Sequence, residues 1–398
     1  MVRFEALDAW RGICAILVVL FHFCFIFQSP LSGERLIANA YLFVDFFFVL
    51  SGFVVAHAYA ARLNSGAAWG AFVVRRFGRL WPLHGAMLAA FIAFIGLINL
   101  VPHPERFDLT AGPGEYSLIA IPIHLFLLNA MNLHGMAWNA PSWSIGAEFY
   151  TYLLFGALCV LVLRRGALWA LGVAGVGLAV LAMASPTYMN STADFGLFRC
   201  VAGFFTGVAA HALHRRLGDV RLPGATLWEV AAVVMAGLFV VHAGSGPDEV
   251  AVLSLAAPLA FGAAVLVFAR EEGALSRLLR ARPFAALGRW SYSIYMTHQL
   301  VLVGAICAVW ALGAVETRVA VEGHEKALYD LGGTVPSLLL LALMLAVVLA
   351  LSAFTHARIE EPARRAFNAF AGRLEQGTAV RRAYAMARRN VRQEVPGR

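Results

Sequence analysis

The chain has 398 residues, of which 61% are hydrophobic and only 14% charged, and it carries a formal net charge of +8. So little polar surface cannot cover an ordinary soluble domain, which excludes that class and predicts a polytopic membrane protein whose first partner is the lipid bilayer. The apolar runs are long and lack the alternation of a transmembrane barrel, so the expected fold is all-α: a membrane helix bundle of about ten spans. The charge is almost wholly arginine, Lys326 being the one lysine, and nothing in its placement implies a nucleic-acid partner. Cys14, Cys24, Cys159, Cys200 and Cys307 all fall in apolar runs without metal-ligand spacing. They read as packing residues, and no disulfide framework, metal site or permanently bound cofactor is expected.

In chain order, hydropathy predicts spans near 10–28, 38–60, 80–101, 143–162, 167–184, 195–213, 227–243, 249–269, 290–314 and 335–356. The first carries Arg11 and His22 and has no small-residue cleavage site, so it is expected to remain in the mature protein rather than act as a removed signal. Eleven residues are close to three helical turns, which places both groups on one face, roughly 16 Å apart along the axis. Ionisable side chains inside an apolar span are costly and functional by default.

The second span opens with Asp45, an acid that must be neutral or paired; His22 and Arg199 are the candidate partners. Ser51 and Gly52 in the same span read as close-packing positions. Before the third span stand Arg75, Arg76 and Arg79, spaced to hold a phosphate-bearing ligand, although topogenic arginines would look the same. The fourth span begins with Asn139, Ser142, Trp143 and Ser144 and carries Glu148 one turn after Ser144, so that these last two share a helix face. Arg199 lies inside the sixth span. Ser291, Tyr295 and His298 form a polar stripe on the ninth, equally suited to lining a passage or to joining helices. Glu360, Glu361 and Pro362 close the last span as an interfacial stop with arginine partners.

A further segment, about 117–132, is short and polar, with Pro122, His124, Asn129 and Asn132. If it does not cross, Arg35, Arg106, Arg318 and Lys326 lie on one side, Arg11 and Arg199 lie within spans, and the other 25 of the 31 basic residues share the side of the N-terminus. The positive-inside rule therefore predicts a re-entrant piece or half-helix on the outer side, with both termini cytoplasmic. The organisation expected is a membrane domain over 1–362 and a basic cytoplasmic tail over 363–398. In this topology Arg11 is near the cytoplasmic end, while His22, Asp45, Glu148 and Arg199 converge on one layer of the outer half.

Taken together, these strings resemble the acyltransferase-3 family of integral membrane O-acyltransferases from Leu7 to Arg365. The matching residues are Arg11 with His22, the stretch from Asp45 to Phe53, Arg75, Arg76 and Arg79, Ser144 with Glu148, the stripe ending at His298, and the Glu360–Pro362 ending. The resemblance implies transfer of an acyl group, usually acetyl from cytoplasmic acetyl-CoA or another acyl-CoA, to a hydroxyl of a carbohydrate, lipid-linked glycan or related envelope acceptor. Arg11 and His22 are the pair it implies to be essential, in a bacterial inner membrane and in company with envelope polysaccharide machinery. The expected catalytic group is His22 assisted by Asp45 or Glu148, with Arg11. Arg75, Arg76, Arg79, Tyr295 and His298 are expected on the donor side, and Arg199, Asn139, Trp143 and Ser144 on the acceptor side. Several relatives carry a C-terminal esterase-like domain, and this chain is expected to act as a stand-alone membrane domain. The alternative reading is a transporter or exporter of a small molecule or acyl-sugar, since intramembrane His, Asp, Glu and Arg also mark substrate routes.

Overall fold

The computed structural model describes residues 4–161, 168–218, 223–244, 252–314, 316–321 and 324–376. Arg3, Arg164, Arg165, Arg221 and the tail beyond 376 lie outside the described residues. The helices are α1 (Glu5–Ile26), α2 (Arg35–Ala38), α3 (Phe43–Tyr59), α4 (Gly66–Ile98), α5 (Ala120–Leu125), α6 (Trp143–Leu161), α7 (Leu168–Ala184), α8 (Gly196–Leu217), α9 (Ala225–His242), α10 (Ala257–Phe268), α11 (Ala274–Leu279), α12 (Arg282–Ala311) and α13 (Thr334–Thr355). Among the described residues eight helical stretches are long and apolar enough to cross a membrane, and the shorter apolar helices α7 and α10 occupy the two remaining expected positions. The fold is a polytopic helix bundle.

Interhelical bonds define two ends. At the N-terminal end the Ala6 amide donates to Glu271 (2.7 Å), and Arg75 makes two 2.8 Å bonds to Glu375. At the distal end the Gln28 amide donates to the Tyr329 carbonyl (3.0 Å), and Asn39 donates to Val240 (3.0 Å).

Lipid supplies no hydrophobic drive between helices, so close packing has to come from small residues. A Cβ on Gly12 of α1 would sit 2.5 Å from the Leu287 carbonyl carbon of α12, and one on Gly288 would sit 2.6 Å from the Asp8 carbonyl oxygen. Helices α3 and α8 meet still more tightly: a Cβ on Gly52 would lie 1.8 Å from the Phe204 oxygen, and one on Gly207 would lie 1.9 Å from the Val49 oxygen. These two backbone contacts hold α1 to α12 and α3 to α8, the four helices that carry Arg11, His22, Asp45, Arg199 and the polar stripe.

Three departures from the sequence reading matter for function. Helix α4 begins at Gly66 instead of near residue 80, so Arg75, Arg76 and Arg79 project from the side of a 33-residue helix and not from a loop before it. Helix α12 likewise begins at Arg282. Arginines depress a hydropathy window, so both helices extend beyond their apolar stretches on the side where their charges lie. The last helix continues past Pro362 to residue 376 through a π-helical turn at His356–Glu360. Such a turn re-aims side chains locally, and here it directs Glu360 inward, where it is 2% exposed. An antiparallel hairpin, β1 (Glu316–Val321) with β2 (His324–Tyr329), was not anticipated; it caps the distal end, where Tyr329 bridges to Phe27.

The segment 117–132 does not cross. Its helix α5 has six residues, and it turns back into the bundle: the His84 ring, mid-way along α4, donates to the His124 carbonyl (2.9 Å), and Trp81 donates to the Leu125 carbonyl (3.0 Å). The chain surfaces near Leu133 and Met136 and is buried again from Ala137 to Asn139, just before α6. The Asn139 amide donates to the Met296 carbonyl (3.0 Å), fourteen residues into α12 and so about 21 Å from its start. The first turn of α6 therefore begins near the middle of the bundle.

Gly52→Ala and Gly207→Ala are each expected to destabilise the bundle, by about 1–3 kcal/mol, through overpacking against backbone that cannot yield. A thermal midpoint in detergent equal to that of the wild type would contradict the packing described.

Candidate active site

Two cavities lie one above the other inside the bundle. The proximal one, nearer the N-terminal end, has a volume of about 130 Å³. Its polar wall consists of Arg11, Ser51, Arg76, Arg79, Ser144, Glu148, Tyr152, Ser291, Tyr292 and Tyr295. The distal one, of about 620 Å³, is lined by His22, Trp138, Trp143, Asn190, Thr192, Arg199, Gln299 and, at its rim, Arg106 and Glu115. Arg11 and His22 thus share a helix face yet line different cavities.

Arg11 is tied to α12. Its Nε donates to Ser291 Oγ (2.7 Å), its Nη2 donates to the Gly288 carbonyl (3.3 Å), and Asp8 lies 3.4 Å from the same Nη2. Ser291 passes its own proton to the Gly288 carbonyl (3.0 Å), so its lone pairs remain for the guanidinium. Arg76 is enclosed by aromatic rings, with its guanidinium carbon 5.0 Å from the Tyr59 centroid and 5.6 Å from that of Tyr152, and it donates to Tyr59 Oη (3.1 Å). Arg79 pairs with Glu360, which also accepts from Ser293 (2.8 Å), and stands over the Tyr292 ring at 5.6 Å. Opposite the arginines, Tyr152 donates to Glu148 Oε1 (2.6 Å). The tyrosine has one proton, so Ser51, 2.9 Å away, must donate to it, giving a relay from Ser51 through Tyr152 to Glu148.

In the distal cavity the His22 tautomer follows from its partner. Nδ1 lies 2.9 Å from the Val18 carbonyl, which can only accept, so Nδ1 carries the proton and Nε2 is left as the base. The same argument applies to His298, whose Nδ1 lies 2.8 Å from the Tyr295 carbonyl. Its ring centroid is 4.9 Å from that of His22, and its buried Nε2 has no hydrogen-bond partner among the described residues.

Several expected positions need correction. Asp45 does not meet His22: both of its oxygens are taken by Arg199, with Nε at 2.9 Å and Nη2 at 2.8 Å, and the pair is 0% and 1% exposed. Arg199 is held further by the Ser191 carbonyl (3.0 Å), the Tyr41 carbonyl (2.9 Å) and the Trp143 ring (5.3 Å). A buried charge survives only when fully partnered, and a guanidinium fork on a carboxylate is the strongest such partnership available. Glu148 and Ser144 lie in the proximal cavity instead of the outer layer, because α6 starts deep. Arg75 is on the surface with Glu375. His298 sits against His22 instead of at the donor mouth, and Asn139 is a buried strut to Met296. Ser51 belongs to the proximal wall as well as to helix packing. Tyr292, Tyr152, Trp138, Asn190, Thr192 and Gln299 were missed, of which Gln299, four residues after Tyr295, is the one the spacing of the stripe could have suggested; Glu360 has the arginine partner expected of it, in Arg79.

Two cavities thus stack inside the bundle, one lined by cations with an acid relay and the other by an imidazole among tryptophans and amides. The acyltransferase domain model matches residues 4–356, and the chain belongs to the acyltransferase-3 family. It is a membrane acyltransferase. It is similar to the acyltransferase MdmB of Streptomyces mycarofaciens, with 27% identity over 76% of this chain and 80% of that protein. It is also similar to BcsY of Komagataeibacter xylinus, named as a membrane-bound transacylase, with 27% identity over 74% of this chain and 72% of that protein. Protein 2 in the picA locus of Rhizobium radiobacter is 32% identical over 45% of this chain and 95% of its own length. No solved structure matches the chain.

The corrected role of Asp45 has a measurable consequence. Asp45→Ala leaves Arg199 buried without its counter-ion and is expected to cost about 3–5 kcal/mol of stability. The double variant Asp45→Asn with Arg199→Gln should recover much of that loss. A stable Asp45→Ala protein that has lost only activity would return Asp45 to the chemistry.

Proposed function

We propose that the protein moves a short acyl group, acetyl foremost, from cytoplasmic acyl-CoA to a hydroxyl of a carbohydrate or related envelope acceptor beyond a bacterial inner membrane. The observation that carries this reading is the division of Arg11 and His22 between two cavities on one helix face. Arginine asymmetry along the sequence supports a cytoplasmic N-terminal end, which makes the proximal cavity the donor side. Arg76 suits the phosphates of a nucleotide-bearing thioester, and Arg11 suits its polar arm; Arg75, already paired with Glu375, and Arg79, already paired with Glu360, drop out of this set. The small volume of the proximal cavity favours a short acyl chain. Trp138 and Trp143 with Asn190, Thr192 and Gln299 suit a neutral, polyhydroxylated ring, the surface of a sugar. Such an acceptor would be delivered by envelope polysaccharide machinery or as a lipid-linked glycan.

In the chemical step His22 Nε2 takes the acceptor hydroxyl proton as the oxygen attacks the thioester carbonyl. The new C–O bond forms, the C–S bond breaks, and the proton passes to the departing thiolate. General-base help of this kind is worth about 10²–10⁴-fold, and positioning adds to it.

His22→Ala, inserted and folded, is expected to lose transfer by about 10²-fold or more in a radiolabelled acetyl-CoA assay. Arg11→Lys should also fail, because an ammonium cannot reproduce the paired bonds to Ser291 and Gly288. Wild-type rates for His22→Ala would sink the proposal; intact vesicular transport without any covalent transfer would point to a carrier instead.

A further inference from the structure

Among the described residues two side chains, Val44 and Tyr295, line both cavities. Val44 has no polar group with which to be fixed, whereas Tyr295 is held from both sides. Its hydroxyl donates to the Pro141 carbonyl (2.9 Å), and Pro141 belongs to the distal wall. Ser144 Oγ lies 2.9 Å from the same hydroxyl, and Ser144 belongs to the proximal wall. The ring is bracketed in the same way, with Phe47 of the proximal wall edge-on at 5.9 Å and His298, the neighbour of His22, at 5.9 Å. The phenol therefore stands between the levels of Arg11 and His22, latched to the sunken turn that precedes α6.

We propose that Tyr295 is the partition between the two cavities, a positioning residue whose ring must leave its latch on Pro141 and Ser144 before an acyl thioester and the His22 base can meet. The inference rests on the two-cavity reading of the function, and it deepens that reading by naming the residue at which donor and acceptor are kept apart. The latch suits such a role. Its hydrogen bonds are made to backbone and hydroxyl rather than to charge, so they can be broken and remade, and a change of rotamer moves the ring without moving α12. Water is kept from the thioester in the meantime, which protects an activated acyl group from hydrolysis.

The test reads access rather than turnover, so it stands or fails independently of the acceptor and the donor. In cysteine-free protein in sealed vesicles of known orientation, a single reporter cysteine is placed in the proximal wall (Ser51→Cys) or the distal wall (Thr192→Cys). Each is then challenged with a membrane-impermeant maleimide from the distal face. With Tyr295 present, Thr192→Cys should label and Ser51→Cys should not. With Tyr295→Ala, distal labelling of Ser51→Cys should rise at least tenfold, while Thr192→Cys is unchanged. Tyr295→Phe keeps the ring and loses the latch, so it should give an intermediate rate. Distal labelling of Ser51→Cys while Tyr295 is intact would overturn the proposal, as would its continued protection in both Tyr295 variants. If Tyr295→Ala alters the Thr192→Cys control, the comparison of Tyr295→Phe with the wild type decides. The expected labelling pattern, together with no acyl transfer by the protein that keeps Ser51 and Thr192, would leave the partition standing and remove the enzymatic reading.

Discussion

The Asn139 amide on the Met296 carbonyl is the contact on which the arrangement of the site depends. A buried carboxamide bonded to the mid-point of a neighbouring helix fixes how far the re-entrant segment descends, and so where α6 begins. The Tyr295 bonds to Pro141 and Ser144 repeat the anchorage one residue away. With the start of α6 sunk to this level, Ser144 and Glu148 face the arginines of α1 and α4 instead of the imidazole of His22. Irregular backbone at such depth is tolerated only where protein or a cavity satisfies it, and here both do. Trp81, His84 and Tyr150 donate to carbonyls of the 124–126 turn, while Asn129 and Ser142 bond to each other at 2.9 Å.

Charge is then sorted by level. The Asp45–Arg199 pair is consumed structurally, pinning α3 to α8 beside the tight glycine contact, and the guanidinium in turn supports Trp143 at the wall of the distal cavity. Glu360 does comparable work at the other end, delivered by a π-turn to Arg79. Among the described residues the cavities hold Arg11 and Arg76 with the Ser51–Tyr152–Glu148 relay at one level, and His22 beside His298 at the other. Such sorting suits an interior in which each unpaired ionisable group is costly.

The fold class, the positions of the apolar helices, the re-entrant nature of 117–132 and the separation of Arg11 from His22 were legible in the sequence. Each follows from hydropathy, helical period or charge asymmetry. The partner of Asp45 was not, because His22 and Arg199 stood at equal apparent depth and only the packing of α3 on α8 chooses between them. The level of Glu148 was misread for a related reason: counting residues from a span's edge assumes that the span starts at the membrane surface, and α6 does not. The extents of α4 and α12 were hidden by their own arginines, and the hairpin at 316–329 by its shortness beside long apolar runs.

The central claim is that donor and acceptor reach Arg11 and His22 from opposite ends of one helix face. Purified protein oriented in sealed vesicles, given acetyl-CoA on one face only and a soluble glycan acceptor on the other, tests this most directly. The account predicts acylated acceptor only when acetyl-CoA is on the face bearing the N-terminal end and the acceptor is on the distal face. Transfer that requires both substrates on the same face would contradict it.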